Sequence, residues 1–326
     1  MKRRGITVAF GAVLVAVFTW QVLGMDVAYV AMSPGQTVDV LGTAEDEEGV
    51  DHQIISVDEE QPTSGELRLT TVSVRQKVTV IDALQLWMSD DAAVVPRELV
   101  YAPGKSRDEI VEEQEKDWAT SQSHAEQAAL KYLGQPLTVT VVDDADPLRE
   151  GDVLREVDGD EIATAAEVEE LAGDDHEFTV ERDGEEETVT DVDPGAVELE
   201  FDHADPYNID IDAEALEIGG PSAGLMFTLG ILDRIMPEDL TGGFSIAGTG
   251  TIDANGEVGP IGGVQQKVKA VEENDIGLFL TPADNCDDAK PAAEGTNVEL
   301  AKVNTLSDAV EALEAYANGE ELPQTC

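Results

Sequence analysis

The chain has 326 residues, 42% of them hydrophobic, enough for a sizeable core and, as a prior, two domains. Its 70 acidic and 19 basic residues leave a formal net charge of -51. Without a basic patch to release counterions, such a surface disfavours nucleic acid and anionic lipid headgroups as partners, and because the acid is spread from the forties to the C-terminus it predicts a protein adapted to a saline medium.

Lys2-Arg3-Arg4 precedes an uncharged run from Gly5 to Met25, long enough to cross a bilayer, with Trp20 near its far end. Basic residues before the run and acid after it predict a single-pass anchor in the cytoplasmic membrane, N-terminus inside and the rest extracytoplasmic. A cleaved signal peptide is the competing reading. The run exceeds a usual h-region and lacks a clear A-x-A site, which favours the anchor.

After it, "DVAYVAMSPGQTVDVLG" predicts a strand, a Pro34-Gly35 turn and a second strand. "GELRLTTVSVRQKVTVIDALQLWM" predicts a strand with Leu67, Leu69, Val72 and Val74 alternating, then a helix with Ile81, Leu84 and Trp87 inward. Residues 106–132 form a long amphipathic helix opened by a Ser cap.

From "LTVTV" onward come short strands, among them Val153–Val157 and Phe178–Arg182, turns at Asp158-Gly159 and Asp183-Gly184, and a helix Ala165–Leu171. Past Pro194 the pattern is mixed α/β, and no repeat is visible.

Chemistry concentrates in "GGPSAG" and the apolar helix behind it. A serine there is ordinarily a helix cap. However, Gly219 and Gly220 clear the backbone for an oxyanion, as would the Ala223 amide, and the helix points its positive end at Ser222. A nucleophile needs a base. His52, His124, His176 and His203 lie in polar loops or on an exposed helix face, and a triad through His203 with Asp202 or Asp205 is the weaker alternative.

The chain has nine lysines, and Lys267 lies three residues after Val264 and four before Val271, on the apolar side of a helix; Lys269 falls away from it. A snorkelling lysine or an ion pair is the structural reading. As a base, a lysine of pKa ~10.4 must be brought to roughly 7–8, which desolvation can do.

Cys286 and Cys326 are too few for a disulfide scaffold, and whether they pair is left open, conditional on an oxidising compartment. "DVDGDE" and "DHADPYNIDID" miss the EF-hand spacing, so no metal site is expected. "GTG" is no dinucleotide fingerprint, and no cofactor is expected.

Two resemblances follow from these motifs. "REGDVLREVDGDEI" with its following helix resembles PDZ domains, which implies a module for peptide C-termini, its carboxylate loop guessed at Tyr132, Leu133 and Gly134. "GGPSAG" with "TGTIDANGEVGPIGGVQQKVKA", which sets Lys267 45 positions after Ser222, and with "DIGLFLTPADNCDD" beyond, resembles the Ser-Lys peptidase domain of the Lon family, in its membrane-anchored, PDZ-containing, YlbL-like branch.

That resemblance implies Ser222 as nucleophile, Lys267 as base and Thr249 as a residue that orients the lysine. It also admits a homo-oligomer. Typical ATP-dependent members carry Lys-Asp where this chain has Ile218-Gly219, and Glu where it has Thr251 and Gln266. No G-x-x-x-x-G-K-[ST] is present in these residues.

The expected fold is α+β: a stub and transmembrane helix over 1–25, the first part of the peptidase region over 26–130, a small β-rich PDZ domain inserted at 131–193, and the catalytic domain over 194–326. The expected function is an ATP-independent serine endopeptidase acting on unfolded or signal-bearing polypeptides. The rival is a non-catalytic peptide-binding scaffold.

Overall fold

In the computed structural model the backbone is described for residues 2–45, 49–89, 92–101, 104–162, 165–213, 216 and 218–326, and the side chains for the same residues except 2–9, 107, 165, 166 and 169. In chain order, α1 (Lys2–Leu23) leads to β1 (Asp26–Val27), β2 (Tyr29–Asp39), β3 (Thr43–Glu45), β4 (Asp51–Gln53) and β5 (Ile55–Ser56). Next come β6 (Glu66–Arg75), β7 (Val78–Thr79), α2 (Val80–Trp87), β8 (Ala93–Pro96) and α3 (Arg107–Tyr132).

The middle of the chain forms β9 (Leu137–Val141), β10 (Val153–Val157), β11 (Asp160–Glu161), α4 (Ala165–Glu170), β12 (His176–Arg182), β13 (Glu185–Val192) and β14 (Leu199–His203). The last third holds β15 (Asp210–Ile211), α5 (Gly224–Ile235), β16 (Ser245–Gly248), β17 (Thr251–Ile252), β18 (Val258–Gly259) and α6 (Val264–Glu273). It ends with β19 (Leu278–Pro282), α7 (Cys286–Ala293), β20 (Glu299–Val303) and α8 (Leu306–Ala317).

The main sheet has the order β20-β19-β16-β6-β2-β8, parallel from β20 to β6 and antiparallel at β2 and β8. Strands from the first third and the last third of the chain therefore share one sheet. Helices cover both faces, which is why β19 is buried throughout. Leu278 and Leu280 join the core beneath α3, α5 and α8, whereas Phe279 joins Val264, Val268 and Val271 of α6 on the other face.

Between these two parts lies a second sheet, antiparallel in the order β13-β12-β10-β9-β14, with β11 on β10 and its own core around Phe178, Val180 and Leu154. Its hairpin turns carry positive φ at Asp158 and Gly159 and at Asp183 and Gly184, as Asp-Gly pairs favour. The sheet extends past residue 193, because β14 pairs with β9 from Leu199↔Val141 to His203↔Leu137.

Two local expectations are corrected. Pro34-Gly35 is not a turn: β2 runs through it as one strand, with a register shift between Pro34 and Thr37. Pairing to β6 on both sides outweighs the local turn chemistry, and a bulge tolerates the missing proline N–H. Gly35 is needed there, since a Cβ would sit 2.3 Å from Thr71 Oγ1.

The stripe of α2 is not inward. The helix has no buried residue, and Ile81, Leu84 and Trp87 are exposed, because it connects β7 to β8 on the outside of the sheet edge.

The predicted N-terminal span folds as α1. Among the described residues, no helix is long and apolar enough to cross a membrane.

Cys286 and Cys326 form a disulfide across 40 residues. It ties the last residue, whose amide donates to Leu300 O, to the start of α7. Closing a loop of that length removes denatured-state entropy worth about 4 kcal/mol in the chain-entropy description. Reduction is therefore expected to lower the thermal midpoint by several degrees, read by calorimetry with and without reductant; an unchanged midpoint would refute this.

Candidate active site

The site lies at the carboxyl end of β16, where crevices form outside the ends of parallel strands. Thr249 follows directly on β16, Ser222 precedes α5 on one side of the sheet, and α6 brings Lys267 from the other. Ser222 does not cap its helix: α5 has no side-chain cap, and its first turn opens at Ala223. The positive end of α5 is thus left facing the serine.

On α6, Lys267 shares the buried side with Val264, Val268 and Val271, as its spacing predicts. The helix starts at Gly263 with φ 70, packed so closely on the sheet that a Cβ would lie 2.8 Å from Val72 Cγ2. The turn before it is held by Asn285, whose side chain accepts from Ile261 N and donates to Ile261 O.

Lys267 is 2% exposed. Its Nζ lies 2.9 Å from Ser222 Oγ and 2.8 Å from Thr249 Oγ1. Thr249 in turn donates to Ser222 O at 3.0 Å, and Gly250 N donates to the same carbonyl. Burial, with no carboxylate partner among the described residues, brings the Lys267 ammonium down to about 7. The lysine is therefore half neutral near neutral pH, with an N–H committed to Thr249 and a lone pair free to accept the serine proton.

The oxyanion residues divide. Gly220, at φ 87, donates its amide to Gln114 O in α3, so in this state it offers nothing to an oxyanion. Among the described residues, the amides of Ser222 and Ala223 have no protein acceptor and remain available.

Three contacts from α3 brace this loop and the neighbouring β17, none of them signalled in the sequence. Besides Gln114, Ser121 Oγ donates to Pro221 O, and His124 Nδ1 to Ile252 O. His203 belongs elsewhere: its amide donates to Gln127 Oε1 and its ring bonds Gln135 O.

A crevice of about 370 Å³ opens at Ser222 between Pro221 and Thr251 on one side and Pro260, Ile261 and Gly262 on the other. A second of about 410 Å³ shares Pro221 and Thr251 and runs on between α3 and the β17–β18 hairpin. Together they make an open groove across the serine, fit for an extended chain.

The expected carboxylate loop is also corrected. The amides of Leu133, Gly134 and Gln135 donate to Ala129, Lys131 and Leu130 carbonyls, finishing α3 and leaving no nest for a carboxylate. An apolar groove of about 230 Å³ lies instead between α4 and β14, lined by Val168, Ala172, Pro194, Leu199 and Phe201 among others. β14 ends its sheet, so its outer edge is unpaired among the described strands.

Comparison with known proteins agrees with this geometry as to class. Residues 194–315 match the family described as the Lon protease (S16) C-terminal proteolytic domain, a stretch that contains Ser222, Thr249 and Lys267. The chain is 36% identical over 112 residues to the Lon protease of Campylobacter jejuni, covering 33% of this chain and 14% of that protein. It is 32% identical over 120 residues to Lon protease 2 of Bacillus subtilis (36% and 21%), and 30% identical over 95 residues to the archaeal Lon protease of Archaeoglobus fulgidus (29% and 15%). The chain thus spans only a fifth or less of the length of most of the relatives it matches. The likeness is to their proteolytic domain.

Proposed function

We propose that the chain is a serine endopeptidase working through a Ser222–Lys267 dyad, held at a membrane by α1, and independent of ATP as far as these residues go. The observation that carries this is a buried lysine, uncompensated by any acid among the described residues, 2.9 Å from a hydroxyl at the mouth of a groove. A structural lysine would have a carboxylate partner or reach water; among the described residues this one has only Ser222 and Thr249.

In the reaction, neutral Lys267 takes the Ser222 proton as Oγ attacks the peptide carbonyl. The oxygen that gains charge is received by the Ser222 and Ala223 amides at the N-terminus of α5. Collapse of the adduct breaks the peptide bond, and Lys267 returns its proton to the leaving amine. A water activated by the same lysine then releases the acyl group. Thr249 accepts a lysine N–H throughout and keeps the lone pair on Ser222.

The open groove suits unfolded segments, which can lie extended across Ser222. The second sheet serves as a PDZ-type module, with the unpaired edge of β14 and the α4 groove taking an extended peptide by strand addition. Transport of α1 into the bilayer places the catalytic part outside the cytoplasm, a compartment in which the Cys286–Cys326 disulfide persists.

Fluorescent unfolded casein tests the reading, using full-length chain in detergent and molar salt without nucleotide. Wild type is expected to cleave and Ser222→Ala, folded by circular dichroism, to be silent. Cleavage that survives Ser222→Ala would overturn it.

A further inference from the structure

The apolar stripe of α2 is the largest described feature that the dyad, the groove and the second sheet leave unused. The helix is closed at its start by a capping box between Thr79 and Asp82, and none of its residues is fully buried. Ile81, Leu84, Trp87 and Met88 recur at helical spacing and are all exposed, Trp87 at 77% and Met88 at 79%. An uncovered stripe ending in Trp and Met requires something to cover it.

Its place in the fold says what. β1 and β7 pair through Asp26↔Thr79 and Val27↔Val78, and Val80 N donates to Met25 O. The first residue of α2 is thereby tied to the residue that ends the predicted span, with Trp20 and Met25 exposed on the α1 side. Charge points the same way. In a chain of net -51, Arg75 and Lys77 stand just before α2, whose own acid, Asp82, is taken up by Thr79; Asp90 and Asp91 follow the helix in sequence.

We propose that α2 is an interfacial helix, lying with Ile81, Leu84, Trp87 and Met88 in the bilayer surface as a second attachment beside α1. A short amphipathic helix with a tryptophan on its apolar face and two basic residues before it suits the boundary between headgroups and acyl chains, where its apolar face sinks by ~5–10 Å. The attachment rests on the reading of α1 as the anchor, and it adds an orientation. The β8 edge of the main sheet stands at the membrane, and the β20 edge with the disulfide stands farthest from it. A catalytic domain held at two points would meet chains at a fixed height above the bilayer rather than swing on a single tether.

Tryptophan quenching tests this, because the chain has three tryptophans and the third, Trp118, is packed against Phe227 inside the fold. Full-length chain is reconstituted into vesicles of phosphatidylcholine and phosphatidylglycerol whose acyl chains carry bromine just below the headgroup. The Trp20→Phe chain is expected to lose most of its Trp87 emission to the bromines, and the Trp20→Phe/Trp87→Phe chain to show no quenching.

Quenching of the Trp87→Phe chain, through Trp20, with none in the Trp20→Phe chain would overturn the proposal while leaving the anchor in place. That result includes the case in which a second copy covers the stripe. Absence of quenching in every chain would remove the anchor and the proposal together.

Discussion

Replacing Lys267 by methionine is expected to abolish peptide hydrolysis and, at the same time, to make the fold more stable at neutral pH. Both effects come from one burial. In the folded chain the lysine is brought from its ordinary value to about 7 by desolvation. That shift corresponds to roughly 5 kcal/mol of differential stabilisation. Below pH 7 the lysine is charged in both folded and unfolded chains, and the full penalty is present. Between pH 7 and ~10.4 the unfolded chain holds a proton that the folded chain does not, so stability rises with pH and the penalty fades.

Methionine has a similar length, carries no charge and leaves Ser222 and Thr249 short of one partner each, a loss of about 1–2 kcal/mol. The net gain at pH 7 is then about 3 kcal/mol, vanishing or reversing above pH ~10. Denaturant unfolding of both chains across pH reads it directly. Equal stability at every pH would show that the lysine is not desolvated, and the dyad would lose its physical basis.

Turnover supplies the other half. For wild type, kcat/KM is expected to rise with pH at unit slope and level off above about 7, the lysine's depressed value in the fold. Methionine should remove at least ~10³-fold of the activity. Arginine should do no better, since a guanidinium stays protonated and cannot serve as a base. The trade of stability for reactivity is what a strained catalytic group predicts and what a structural lysine does not.

How much of this was legible beforehand depends on where each signal resides. The meeting of Ser222 and Lys267 was readable as a candidate because each breaks a local rule: a hydroxyl on cleared backbone before an apolar helix, and a lysine on the valine side of α6. Val153–Val157 and the two Asp-Gly turns were readable because hairpin chemistry is local. Pro34-Gly35 misled for the same reason, since the pairing that carries β2 through it comes from β6, some forty residues on.

The α2 stripe shows another limit. Period alone tells that one face is apolar, not whether the protein or something else covers it. The braces on α3 had no signal at all. Gln114 acts through its backbone carbonyl, and Ser121 and His124 reach partners 100 and 128 positions away. The carboxylate loop failed because a helix that runs to Tyr132 consumes the amides that such a loop would offer.

Raising salt from ~0.1 M to ~1 M is expected to raise the unfolding midpoint and to move the rising limb of the pH profile to lower pH, both through shrinkage of the screening length from ~10 Å to ~3 Å. Several of the 19 basic residues are already engaged: Arg182 with Asp152 and Glu187, Arg155 with Glu181, Lys105 with Glu113 and Lys290 with Asp287. With 70 acidic residues against 19 basic, most carboxylates can have no basic partner. The strain is visible locally at Glu126, pushed up by burial and then by Asp205 and Asp202. A carboxylate raised in the fold loses stability as pH climbs through its range, and salt that weakens the repulsion restores it.

The same field favours the charged form of Lys267, so screening it should free the base at lower pH. Potassium chloride should suffice for both effects. If only sulfate or sucrose raised the midpoint, exclusion of the solute from the surface would be the cause rather than screening. A midpoint and a pH limb that both ignore salt would mean that the -51 charge is carried without cost to fold or chemistry, and adaptation to a saline medium would be the wrong account of it.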